Sequence, residues 1–303
     1  MTGKRTLVYL LAGLLVLAAA AVVVLVGRSS AAGETTVSAL AGETHFHGIA
    51  VDARDGERLY LATHHGLYVV APDGSARRIS QTRDDFMGFT PHPANPDMLY
   101  ASGHPAGGGN LGFIVSRDGG ETWSRLADGV DGPVDFHQMD VSKAAPEVVY
   151  GVFRGLQRST DGGRTWTRVG PAPDGTIDLA ASSRSVDRLY AATRNGLLVS
   201  ADGGRQWRPA HESRQPVTMV DVTPDGAIHA FVVGRGLVRA EEAGLEWTDL
   251  GDGPGGGVVL HLAVAADGTL YAVVHDPETR SQSLHVSRDG GRTWSRVGTQ
   301  GGD

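Results

Sequence analysis

Histidine, methionine and carboxylate side chains recur at related places along this chain, and they are the residues best able to do chemistry. Its 303 residues include 12 histidines and no cysteine. Three spacings stand out: His45 and His47, Asp85 and Met87, Asp135 and His137. Residues i and i+2 of a strand point to one side, so each pair would present both side chains to the same space. Imidazole suits zinc and both oxidation states of copper, thioether suits Cu(I), and carboxylates can complete a divalent site. Without cysteine, a metal site must rest on His, Met and carboxylate. The candidate metal ligands are His45, His47, His64, His104, His137, His261, Met87 and Asp178, for copper or zinc. In the alternative reading the histidines cap a channel through hydrogen bonds and water, and Met87 and Met219 are packing.

Other chemistries are weaker. Asp85 and Asp135 could form the carboxylate pair of a glycoside hydrolase, with His47 or His137 assisting proton transfer. Arg154, Arg194 and Arg235 fall at equivalent turns and could bind an anionic ligand, or stand there as solvated arginines. A formal net charge of −7 argues against nucleic acid, which needs a basic face. Gly107–Gly112 and Gly251–Gly256 fit a GxGxxG spacing, but neither lies between a strand and a helix. The chain has no GxSxG elbow and no HExxH helix.

The elements that must position these residues are repeated. Ser116-Arg-Asp118-Gly-Gly-Glu-Thr122-Trp123 returns as Ser159–Trp166, Ser200–Trp207 and Ser287–Trp294. A degraded copy ends at Trp247, and Asp73-Gly74 marks an earlier unit. Each unit divides into four short strands separated by turn residues, such as Asp55-Gly56 and His65-Gly66 in the first. Four strands in ~40–45 residues make a propeller blade. Six blades are expected, at about 44–82, 83–131, 132–173, 174–213, 214–255 and 256–300. The fold class is therefore all-β, a six-bladed β-propeller over 44–300. Aligning the first strands by the turn that follows gives one column, His47, Met87, His137, Asp178, Met219 and His261. Two residues earlier stand His45, Asp85, Asp135, Thr176, Val217 and Val259. First strands lie nearest the axis, and the turns joining second to third strands open on the same end. Those turns bring His64, His65, His104 and His275, so eight of the twelve histidines map to one face.

The N-terminus points to export. Lys4 and Arg5 precede an uncharged run from Thr6 to Gly27, which Arg28 closes. That length suits a transmembrane helix, about 20 residues, better than a signal-peptide core, although Ser30-Ala31-Ala32 could be cleaved. Residues 1–28 are therefore expected to be an anchor or signal. Positive charge on the short side places the remainder outside the cytoplasm, as a single-pass membrane protein or a secreted one. Residues 29–43, small and polar, are expected to be a flexible linker.

The repeated motif resembles the Asp-box, or BNR repeat, of sialidases and of many propellers that are not sialidases. The resemblance covers nearly all of the chain after residue 43. It implies a structural role for Asp118, Asp161, Asp202 and Asp289, in turns joining the third and fourth strands away from the ligand face. It also implies what a sialidase would need: an arginine triad, a tyrosine–glutamate pair and an Arg-Ile-Pro or Arg-Leu-Pro motif. The nearest approach is Arg78-Ile79-Ser80, in a fourth strand. The segments Thr44-His-Phe-His-Gly48, Asp84–Phe89, Ser102–Pro105 and Asp135–Met139 look like a bacterial group of BNR-repeat proteins often named sialidase-like or glycosyl hydrolases. Three functions follow as expectations. The first is an exported propeller binding a metal ion or small polar ligand at its histidine face. The others are a divergent glycoside hydrolase acting on a glycan, and an envelope scaffold for a protein partner.

Overall fold

A computed structural model describes residues 33–299. The anchor expected over 1–28 lies outside the described residues. Among those that are described, no helix is long and apolar enough to cross a membrane.

Residues 36–299 form one compact unit of six antiparallel sheets. Each is built on four strands consecutive in the chain, over 46–78, 85–127, 138–170, 176–209, 217–251 and 258–296, and the first sheet is five-stranded. The first strands of successive blades contact one another, including those of blades 6 and 1, so the ring closes on six blades as the repeat predicts. Apolar clusters lie between neighbouring blades. Leu67, Phe86 and Leu99 fill one such interface, and Phe113, Phe136 and Val149 the next.

The repeated Asp-box motif builds the same turn each time. Ser116 Oγ donates to Asp118 Oδ1 at 2.8 Å and accepts from Gly120 N at 2.8 Å, while Thr122 N donates to Asp118 Oδ1 at 3.0 Å. Gly119 and Gly120 both have positive φ, a conformation that glycine adopts without steric cost. Asp161, Asp202 and Asp289 repeat the pattern. The box glycine donates to the first-to-second-strand turn of its own blade, Gly119 to Asp97 O at 2.9 Å and Gly162 to Glu147 O at 2.8 Å. The Asp-boxes thus occupy the end of the propeller away from the second-to-third-strand turns.

Among the described residues no strand is exchanged between blades 6 and 1, so packing and side-chain contacts must close the ring. Residues 37–43, expected to be flexible, form a helix, α1 (Val37–Glu43), capped by Thr36 Oγ1 accepting from Ala39 N at 3.1 Å. Val37 and Leu40 are buried beside Phe46, Leu61 and Val70 of blade 1 and Tyr271, Leu284 and Val286 of blade 6. Burial of that i, i+3 apolar pair is why this short segment is ordered. Val37 N donates to Gly74 O at 2.9 Å, and Phe46 N to the buried Gln282 Oε1 at 2.7 Å, which ties blade 1 to blade 6.

The first strands carry bulges that shift the alignment drawn from sequence. In blade 1 the ladder pairs Phe46 with Thr63 and then Gly48 with Ala62, leaving His47 as the extra residue. In blades 4, 5 and 6 the extra residues are Ile177, Thr218 and Leu260. Asp178, Met219 and His261 therefore match Gly48 rather than His47, one step deeper along the channel. A bulge inserts one unpaired residue, so counting back from the turn misplaces side chains beyond it.

Opposite the middle of each first strand stands a tyrosine, Tyr60, Tyr100, Tyr150, Tyr190 and Tyr271, except in blade 5, where His229 takes the place. His229 is buried, its Nδ1 has no partner among the described residues, and burial pushes its imidazole down to about 4. Histidine in the unfolded chain takes a proton near 6.5. Stability from this group is thus full above that pH and is lost as pH falls toward 4, by about 1.4 kcal/mol per pH unit.

Two outcomes follow from this architecture. Leu40→Ala should lower unfolding stability by about 3 kcal/mol in urea denaturation; a change within about 0.5 kcal/mol would mean that 37–43 is a tether after all. Between pH 7 and 5, His229→Gln should lose about 2 kcal/mol less stability than the parent. Equal losses would show that His229 is not held neutral.

Candidate functional site

A cavity of ≈ 1110 Å³ runs along the first strands, with His47, Gly88, His137, Asp178, Met219 and His261 on its wall, one from each blade. At the end opposite the Asp-boxes, blades 1 to 3 share a local pattern: His45-Phe46-His47, Asp85-Phe86-Met87 and Asp135-Phe136-His137. Each phenylalanine is at most 1% exposed, and each belongs to a different inter-blade cluster. Burying the phenylalanine inward turns the residues on either side toward the mouth. Gly151 makes room for one of these rings, since a Cβ there would lie 2.6 Å from Phe136.

Two groups of ligand-type atoms result. In the first, His64 Nδ1 lies 2.8 Å from Asp85 Oδ2, and His64 Nε2 lies 3.2 Å from His47 Nε2. His47 Nε2 is 3.6 Å from Asp85 Oδ1. A carboxylate only accepts, so His64 Nδ1 carries the proton and its Nε2 presents a lone pair to His47. Asp85 Oδ1 is buried and has no hydrogen-bond partner among the described residues. In the second group, Asp135 Oδ2 lies 2.8 Å from His137 Nε2 and 3.0 Å from His104 Nε2. One construction rule joins the two groups. A turn histidine of one blade reaches an aspartate at the entry to the next blade's first strand: His64 to Asp85, and His104 to Asp135. In each group one ligand atom per residue can be chosen so that all lie within 4.8 Å of one another.

The charges differ between the groups. Burial pushes the His47 imidazole down to about 4, against the pull of Asp85 and with help from His64, His261 and His137. The hydrogen bond to Asp135 raises His137 above the ordinary histidine value, burial opposing it. His261 is held near about 4 by burial.

The remaining expected site residues are placed as follows. His45 packs beside His64 with ring centroids 5.5 Å apart and planes tilted by 47°. Met87 holds in blade 2 the place His137 holds in blade 3, and it is buried. Met219 packs among Phe231, Val259 and Leu262. Asp178 accepts from Leu179 N and, across to blade 5, from Val220 N, both at 2.9 Å, and burial pushes its carboxyl up to about 7. It ties two blades together. Arg154, Arg194 and Arg235 do sit at the equivalent turns of blades 3, 4 and 5. Arg154 lies 5.2 Å from the Phe153 ring centroid, Arg194 packs over Gly175, and Arg235 pairs with Asp249 at 2.7 Å and Glu212 at 3.1 Å. Asp85 and Asp135, considered as a hydrolytic pair, each contact histidines.

Sequence spacing alone does not identify Asp140 as a contributor to this interior. It lies on the first strand of blade 3 and accepts from Lys143 Nζ at 2.7 Å and from Ala181 N of blade 4 at 2.8 Å. The signal was present in the composition, since Lys143 is one of only two lysines and lies three residues from Asp140.

Comparison with known proteins agrees with this architecture. Residues 114–125, 157–168 and 285–296 match the family model of the BNR/Asp-box repeat. No curated protein sequence matches the chain. Among solved structures, the GH74 xyloglucanase from Xanthomonas campestris is similar at a TM-score of 0.56 and 19% identity, over 84% of this chain and 45% of that one. An ancestral GH74 enzyme gives 0.52 and 18%, over 84% and 44%. YCF48 from Cyanidioschyzon merolae gives 0.50 and 17%, over 88% of each chain. The chain thus spans less than half the length of the two GH74 structures. At these identities the likeness is one of fold.

Proposed function

The chain is a BNR/Asp-box repeat propeller whose box aspartates serve the turns, and from that premise we propose that its function resides at the other end, as a binder of a divalent metal ion held by His47, His64 and Asp85. The observation that carries this reading is the facing pair of imidazole nitrogens. At Zn–N bonds of about 2.0–2.1 Å, two ligands of a tetrahedral zinc lie about 3.3 Å apart. His47 Nε2 and His64 Nε2 are separated by 3.2 Å. The buried, unpartnered Asp85 Oδ1 supplies the third donor. Asp85 Oδ2 meanwhile holds the His64 ring in the tautomer that frees Nε2, the usual way an outer partner orients a metal-bound histidine.

Two imidazoles and one carboxylate suit zinc, and Cu(II) shares the preference. Three protein ligands leave a position for water or for an oxygen of a small polar ligand, as in zinc sites that exchange ligands. The charge pattern of residues 4–28 supports a propeller exported and tethered at its N-terminus.

Metal content tests the proposal directly. The full chain, purified without a polyhistidine tag, loaded with zinc and dialysed, should retain it. His47→Ala and Asp85→Asn should each weaken zinc at this site by at least about 100-fold. Failure to retain zinc or copper would overturn the reading, as would retention unchanged in both variants.

A further inference from the structure

We propose that the mouth holds a second divalent ion, on His104, Asp135 and His137, which makes this a two-ion propeller. The inference rests on reading the mouth as a metal centre, but it does not require the first site to be filled.

His104 Nδ1 lies 2.8 Å from the carbonyl oxygen of Gly109. A carbonyl only accepts, so Nδ1 carries the hydrogen, and the neutral ring has its lone pair on Nε2. That nitrogen lies 3.0 Å from Asp135 Oδ2, and a carboxylate oxygen is also an acceptor. Two acceptor atoms thus stand in close contact with no hydrogen bond between them. A second proton on His104, or a cation shared by both atoms, relieves that contact.

Three features favour the cation. His137 Nε2 converges on the same carboxylate oxygen at 2.8 Å, which brings a second imidazole to the point. The other oxygen, Asp135 Oδ1, is buried and has no hydrogen-bond partner among the described residues, although its side chain is only 10% exposed. An unpartnered carboxylate oxygen held out of water is costly unless a cation or donor reaches it. Finally, the three residues repeat the donor set of the first site, two imidazoles and one aspartate, by the same inter-blade rule.

The elements around the site fit a role in holding it. Residues 105–110, rich in glycine, form an exposed loop between the second and third strands of blade 2. Asn110 Nδ2 donates to Pro133 O at 2.9 Å, and Ala106 N to Asp84 Oδ1 at 3.3 Å. The loop is thereby fastened at both ends to the segments that lead into the first strands of blades 2 and 3, which fixes the Gly109 carbonyl that sets the His104 tautomer. A long loop appears in this blade alone of the first three, and its histidine is the one delivered to the second site.

Zinc stoichiometry on the full, tag-free chain decides the matter. The parent should retain two equivalents after dialysis. His104→Ala should retain one, His64→Ala one, and the double variant none. Both histidines are about 40% exposed, so neither change should alter the thermal unfolding midpoint of the metal-free protein. His137→Ala, also exposed, is the companion to His104→Ala and should match it. One equivalent in the parent, lost in His64→Ala and kept in His104→Ala, overturns the second ion and leaves the first standing. One equivalent lost only in His104→Ala supports the second site and removes the first. Two equivalents kept in His104→Ala, or none in the parent, overturn the proposal.

Discussion

Three buried phenylalanines set the geometry of the mouth. Phe46, Phe86 and Phe136 each fill the seam between two blades, and each is flanked in sequence by the side chains that could bind a ligand. Strand pleating sends neighbours to opposite faces. Once the ring is driven into the seam by the gain from burying an aromatic side chain, about 2–3 kcal/mol, the flanking histidines and aspartates must face the opening. Core packing and site assembly are thus one event in blades 1, 2 and 3. In blades 4, 5 and 6 the residues in register with Phe46 are Thr176, Val217 and Val259, and among the described residues no comparable set of ligands is gathered there.

The two ends of the propeller divide the labour. At one end the Asp-box turns use serine, aspartate and glycine to satisfy their own backbone, and their carboxylates are held low by those hydrogen bonds: Asp161 and Asp289 lie near about 2. At the other end Asp85 Oδ1 and Asp135 Oδ1 are left without partners in a buried setting. A protein interior seldom tolerates such groups, and here they stand beside imidazoles, the arrangement on which the proposed metal sites rest. Between the ends, Asp140 and Asp178 bridge to backbone amides of the next blade and hold the channel wall together.

Much of this was legible in the sequence. The Asp-box copies announced the blade count, and the pairs at i, i+2 pointed to His47, His137, Asp85 and Asp135, which the structure divides between two groups, one with His64 and one with His104. Two features were hidden for physical reasons. The bulges at His47, Ile177, Thr218 and Leu260 leave no mark in residue type, so His261, Asp178 and Met219 stand one step away from their expected column. Helix α1 was obscured by its small residues, although Thr36 as a cap with Val37 and Leu40 three apart is a readable signal once closure of the ring is recognised as the problem to be solved. The pairing of a turn histidine with the aspartate of the next blade could not be read at all, because it depends on how far one blade is rotated against another.

The position of a bound ion is the most direct test. Crystals of the protein soaked with zinc, measured on both sides of the zinc absorption edge, should show an anomalous peak about 2.0–2.2 Å from His47 Nε2, His64 Nε2 and an Asp85 carboxylate oxygen. A map with no peak at the mouth, or with zinc bound only to histidines elsewhere on the surface, would contradict the account.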